Sequence, residues 1–222
     1  MTRKNIVLLS GIFLLYLSVN NSEGVHISSL ERLATGYNDV TNKMQFYNYL
    51  LNLGTMVIYI SIIESAIASR FRLRNYIATR GGHKTLINCL LRTVIQHICV
   101  ILFIKQVVYL FFYFISESFS SFYGFDMLST FLTLSLLALF LILLKLQGIK
   151  EKLSLFSIVS ITAIAQFLSY HYPIFSTIVI ASAGWQEWQA LMLVCKSVGI
   201  LIMMSIVIFL SKPGKIMEVV EQ

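Results

Sequence analysis

MLSTFLTLSLLALFLILLKL, running from Met127 to Leu146, carries one charged side chain, Lys145, and that stands beside its end. A helix rising 1.5 Å per residue needs about 20 apolar residues to cross ~30 Å of hydrocarbon, so this stretch reads as a membrane span. Five more apolar stretches flank it, at about Asn5 to Val19, Tyr47 to Ala68, Leu90 to Ile115, Leu155 to Tyr170 and Ala190 to Ser211. The first and fifth stretches in chain order are the shortest. Hydrophobic residues make up 57% of the chain, against roughly 45–50% for a soluble domain. The expected fold is therefore an all-α polytopic membrane protein of six transmembrane helices, forming one domain over residues 1–222.

Charge sorts along this plan. With both termini in the cytosol, the inner segments collect Arg3, Lys4, Arg70, Arg72, Arg74, Arg80, Lys84, Arg92, Lys145, Lys150, Lys152, Lys212 and Lys215, thirteen of the seventeen basic residues. Only Arg32 and Lys43 fall outside, while Lys105 and Lys196 lie within spans. Glu23, Glu31, Asp39, Glu117, Asp126 and Glu187 face outward, so the excess of Lys and Arg on one side sets the orientation. The net charge of +7 then reflects topology, and nucleic acid is not an expected partner. Residues 1–19 have a second reading as a secretory signal, since Arg3 and Lys4 precede a short apolar core; no small-x-small cleavage site follows it. Cys89, Cys99 and Cys195 sit in or beside apolar spans without metal-binding spacing, and read as small hydrophobes.

Residues 20–45 form the long outer loop and 69–89 the long inner one. In the inner loop, Phe71, Leu73, Tyr76 and Ile77 alternate with arginines, a pattern suited to a short helix lying in the interface plane, which Gly81-Gly82 then breaks. Gly82-His83-Lys84-Thr85 is not a phosphate loop, because His83 separates the glycine from the lysine and no strand precedes it. The plain alternative is a basic anchor that touches only lipid.

Tyr76-Ile77-Ala78-Thr79-Arg80-Gly81-Gly82-His83-Lys84, following Glu64 and a basic stretch and leading into the third span, resembles the first inner loop of permease subunits of bacterial ATP-binding-cassette exporters of the type-2 class. The six-helix plan with both termini inside resembles the same family over nearly the whole chain. The resemblance implies a coupling segment, with Arg74, Tyr76, Arg80, Gly81, Gly82 and Lys84, that docks on a separate ATPase subunit. ATP and Mg would belong to that subunit, and no cofactor to this chain. It further implies a second permease subunit, in a homo- or heterodimer, and export of a hydrophobic or amphipathic substrate such as a peptide across the bacterial cytoplasmic membrane. Between spans five and six, His171-Tyr172-Pro173, ten apolar residues and Gly184-Trp185-Gln186-Glu187-Trp188 suit a re-entrant segment over 171–189, with Trp185 and Trp188 as interface anchors.

Polar residues within spans are the remaining candidates, because lipid leaves them without water. Lys105 stands near the middle of its span, roughly 15 Å from either surface, where an ammonium costs about 2.5–3.5 kcal/mol unless it faces a cavity or a partner helix. Tyr109 and Phe112 share its helical face, and together with Gln166 they form a candidate substrate path; structural pairing and snorkelling are the alternatives. Gln166 also suits an interhelical hydrogen bond. Lys196 lies close enough to the outer end of its span to snorkel. Glu64 suits either a local ion pair with Arg70 or a neighbour, or a clamp on the coupling segment. The sequence has no H-E-x-x-H, no paired intramembrane aspartates and no G-x-S-x-G, so catalytic and metal-binding residues are not expected. A non-transporting protein of the bacteriocin-immunity or sensor type, binding a peptide or another membrane protein, is the alternative function.

Overall fold

The computed structural model describes residues 46–116, 123–169 and 189–210, two short strands at 37–38 and 43–44, and the single positions Val7, Gly11 and Phe175. Five helices dominate: α1 (Phe46–Phe71), α2 (Arg74–Ser116), α3 (Tyr123–Leu146), α4 (Glu151–Ser169) and α5 (Gln189–Leu210). Strands β1 (Tyr37–Asn38) and β2 (Lys43–Met44) form an antiparallel ladder with Tyr37 opposite Met44. Each helix holds a stretch long and apolar enough to cross a membrane: Leu53–Phe71, Lys84–Val107, Met127–Leu146, Glu151–Leu168 and Ala190–Leu210. The expected first span and the re-entrant segment, with Trp185 and Trp188, lie outside the described residues apart from Val7, Gly11, Phe175 and Gln189.

The helices associate through one periodic face each. On α1, Met56, Ile60, Ile63 and Ile67 are buried at spacings of three and four; on α2, Leu90, Val94, Ile98 and Ile101 repeat the pattern. Both stripes meet Leu134, Leu137, Ala138, Leu141 and Ile142 of α3 in one core. Helix α3 packs against all four of the others and is the axis of the bundle. The contrast with α5 is large, since 56% of the α3 span is buried but only 11% of the α5 span. Helix α5 rests mainly on α3, where a Cβ on Gly199 would come to 3.3 Å from Leu136, so the glycine permits that close approach.

Two turns lie at the same end of the bundle. The first, Arg72–Leu73, is closed by bonds from Arg72 N to Ala68 O and from Leu73 N to Arg70 O, both 3.0 Å. The second ends α3 in a Schellman motif: Gly148, at φ 80°, donates to Lys145 O at 3.0 Å and Ile149 to Leu144 O at 3.1 Å. Arg72 and Glu151 bind across the two turns, which places both at this basic end.

The expected short helix exists with shifted bounds. Phe71 completes α1, so the helix before the glycines begins at Arg74, and Gly82, at φ 75° and ψ 174°, breaks α2 there. The apolar part of α2 starts at Lys84, not Leu90, because the chain enters the bundle directly after the break and buries Leu86 and Ile87.

Candidate basic-end site and buried polar layers

Lys145 is the one charge in the α3 span, and its side chain is 3% exposed. Its ammonium stands 2.8 Å from Glu64 Oε1 on α1, an ionic contact whose angles fall short of a hydrogen bond. Burying either charge alone would be costly, so each makes the other tolerable in the core. The expectation that Glu64 pairs with Arg70 or a near neighbour is corrected here: its carboxylate points into the bundle toward α3, while Arg70 is exposed. Glu64 thus clamps α1 to α3 just above the turn that starts the inner segment.

Beside this pair the two turns enclose a cleft of about 380 Å³. Its walls carry Arg72, Arg74, Lys145 and Lys150 against Glu151, and its apolar lining is Ala68, Phe71 and Ile149. Arg72 bridges it by a forked contact, Nε to Glu151 Oε1 at 3.3 Å and Nη2 to Oε2 at 3.1 Å. The hydrogen bond that Arg72 donates to Glu151, and then the Glu151 charge, hold the Arg72 guanidinium above its ordinary range. Arg74 lies over the Phe71 ring, 5.1 Å from its centroid, and this contact ties the start of α2 to the end of α1. Tyr76 on this short helix is 57% exposed and Leu73 in the turn before it 49%, and Lys84 is exposed beyond the break. Arg80 and Gly81 lie on this helix, but their side-chain environment is outside the described residues.

A second polar layer lies some 22 Å along α3, fifteen residues from Lys145. There Lys105 on α2 donates to Thr130 Oγ1 at 2.9 Å, and Lys196 on α5 donates to Ser129 Oγ at 2.6 Å. Adjacent residues of α3 thus receive cations from two different helices. Lys105 is 5% exposed and Lys196 1%, so the snorkelling expected for Lys196 is corrected. Its depth along α5 was compatible with escape to the interface, but its face turns to α3, where a hydroxyl receives it. Lys105 faces the bundle interior, but it lies near the end of the Lys84–Val107 span, not at the middle expected, because that span begins at Lys84. Gln166 on α4 is fully buried, as are Thr133 and Thr162. The side chains of Tyr109 and Phe112 lie outside the described residues; of the candidate path residues the structure describes Lys105 and Gln166, both buried.

Cys99 and Cys195 are exposed on the bundle surface and Cys89 is partly so. Among the described residues no cluster of His, Cys, Asp and Glu could hold a metal ion. The sequence singled out Arg74, Tyr76 and Gly82 but missed Arg72, Lys145 and Glu151, which complete the basic end. The isolated lysine in MLSTFLTLSLLALFLILLKL was the available signal for it. Compared with protein-family models, curated proteins and solved structures, the chain shows no match.

Proposed function

We propose that this chain is the permease subunit of an ATP-driven exporter, moving a hydrophobic or amphipathic substrate such as a peptide and powered by a separate ATPase. The observation that carries this reading is the short helix from Arg74 to the Gly82 break. It departs from the long α2 span at a position whose φ and ψ are almost restricted to glycine, and it exposes Tyr76, with Leu73 exposed in the turn before it, beside a basic cleft. Such a helix can move against α2 about Gly82, yet Arg74 on Phe71 and Arg72 on Glu151 couple it to α1 and α4. In this reading the basic end is cytosolic, as the distribution of Lys and Arg supports, in the bacterial cytoplasmic membrane. Residues 5–19 complete six helices, and 171–189 form the re-entrant segment. The thinly covered face of α5 receives the second permease subunit.

One observation favours the second reading, a non-transporting membrane protein of immunity or sensor type. Lys105 and Lys196 tie α2 and α5 to α3 through hydroxyls of the bundle itself, a structural use of groups that a transporter would offer to substrate.

Copurification from the native membrane in mild detergent separates the two. The permease reading expects an ATPase chain in fixed ratio, lost on Arg80→Glu, and ATP hydrolysis uncoupled from transport on Gly82→Ala while the protein still inserts. A Cβ at Gly82 meets nothing within 4 Å, so that variant tests backbone freedom alone, at a cost of roughly 1–3 kcal/mol. A purified chain with no nucleotide-hydrolysing partner would sink the permease reading.

A further inference from the structure

The cleft between the two basic-end turns has a use that does not depend on the permease reading. The geometry points to a binding site for the phosphate of an anionic phospholipid headgroup, held by Arg74 and Lys150 over an apolar wall of Phe71 and Ile149.

Charge supports this first. Lys145 is matched by Glu64 and Arg72 by Glu151, which leaves Arg74 and Lys150 as the excess cations on the cleft. Two helices, α2 from Arg74 and α4 from Glu151, also begin here, and the positive ends of their dipoles favour an anion. Depth supports it next. The spans Leu53–Phe71, Met127–Leu146 and Glu151–Leu168 all reach their basic ends at the cleft, which sets it at headgroup level. Basic pockets between transmembrane helices at that level suit anionic headgroups. The lining itself is mixed. A soluble anion would need only the cations, whereas Phe71 and Ile149 add apolar surface that suits a glycerol backbone and the start of an acyl chain. Because Arg74 is also the first residue of the short helix, an occupied cleft would hold that helix against α4.

The test uses the full chain, purified in detergent and titrated with phosphatidylglycerol, phosphatidylcholine or inorganic phosphate, with bound lipid counted by native mass spectrometry and stability followed by thermal melting. We expect retention of phosphatidylglycerol over phosphatidylcholine and a raised Tm. The Arg74→Gln/Lys150→Gln variant should lose that preference by on the order of tenfold or more. Arg92→Gln, an exposed basic residue on α2 away from the cleft, should keep it. Protection by phosphatidylglycerol but not by inorganic phosphate assigns the lipid; equal protection by both assigns the phosphoryl group from either source. Equal retention of the two lipids by the wild-type chain overturns the site. So does a preference that survives Arg74→Gln/Lys150→Gln while that variant melts normally in phosphatidylcholine.

Discussion

At the basic end Lys145 meets the carboxylate of Glu64 at 2.8 Å, whereas some 22 Å away along the same helix Lys105 and Lys196 meet the hydroxyls of Thr130 and Ser129 at 2.9 and 2.6 Å. Both layers bury ammonium groups among apolar helices, but the contacts differ in what they do to charge. A carboxylate cancels the charge, and each member then depends on the other. A hydroxyl supplies only a dipole, so its contact orients the lysine and links two helices. The ion pair joins α1 to α3, the two helices that carry much of the core, and sits directly above the turns that shape the cleft. The hydroxyl contacts instead fix α2 and the thinly covered α5 to α3.

The comparison is tested hardest by breaking the ion pair. Glu64→Gln leaves the Lys145 ammonium buried beside a neutral amide, and it should destabilise the protein by about 3–5 kcal/mol. The same holds for Lys145→Met, which strands the carboxylate. The double variant Glu64→Met/Lys145→Met should recover most of the loss, because it removes both desolvation costs together. Melting of the purified protein in detergent measures all three. Single variants that melt like wild type would mean the pair is wet, and the contrast between the two ends would disappear.

At the far end the expected order is reversed. Thr130→Val removes an acceptor but leaves the buried ammonium, at about 1–2 kcal/mol. Lys105→Leu removes the ammonium together with its desolvation cost, and it should be the milder change. If Lys105→Leu proves costlier than Thr130→Val by the same melting measurement, Lys105 has a counter-charge of its own. The far end would then be a second ion-pair layer, and the two ends would work alike.

These layers also mark where the sequence stopped being readable. Spans were legible because run length and hydropathy are local, and the five expected from Tyr47 to Ser211 each correspond to a helix. The break at Gly82 was legible because Gly-Gly after a basic amphipathic stretch is a local signal too. The partner of Glu64 was not, because Lys145 lies 81 residues further on and only the packing of α1 on α3 brings them together. Lys196 failed for a related reason. Its depth follows from its position along α5, but its direction depends on which face of α5 meets α3, and α5 is apolar almost all round. The same limit hid the cleft, whose walls come from two turns separated by the whole of α2 and α3.

The smallest effect is expected at the rim, where Arg72 and Glu151 form a forked contact next to the buried pair. Arg72 is 74% exposed at its side chain and Glu151 43%, so water and salt screen their attraction. Arg72→Gln and Glu151→Gln should each leave the melting temperature within replicate scatter at moderate salt, with a small loss appearing only when ionic strength is lowered. Their informative readout is local. Hydrogen exchange at residues 74–79 should rise in either variant, because the contact holds the turn that leads into the short helix, beside Arg74 on Phe71 and the packing of Ile77 on the core. The two variants must agree, since each removes the same contact. A large fall in melting temperature would place the rim pair in the core and merge it with Glu64 and Lys145 into one network. Unchanged exchange at 74–79 would show that the Arg74–Phe71 contact and the packing of Ile77 set the helix, and that the cleft is bridged without being held.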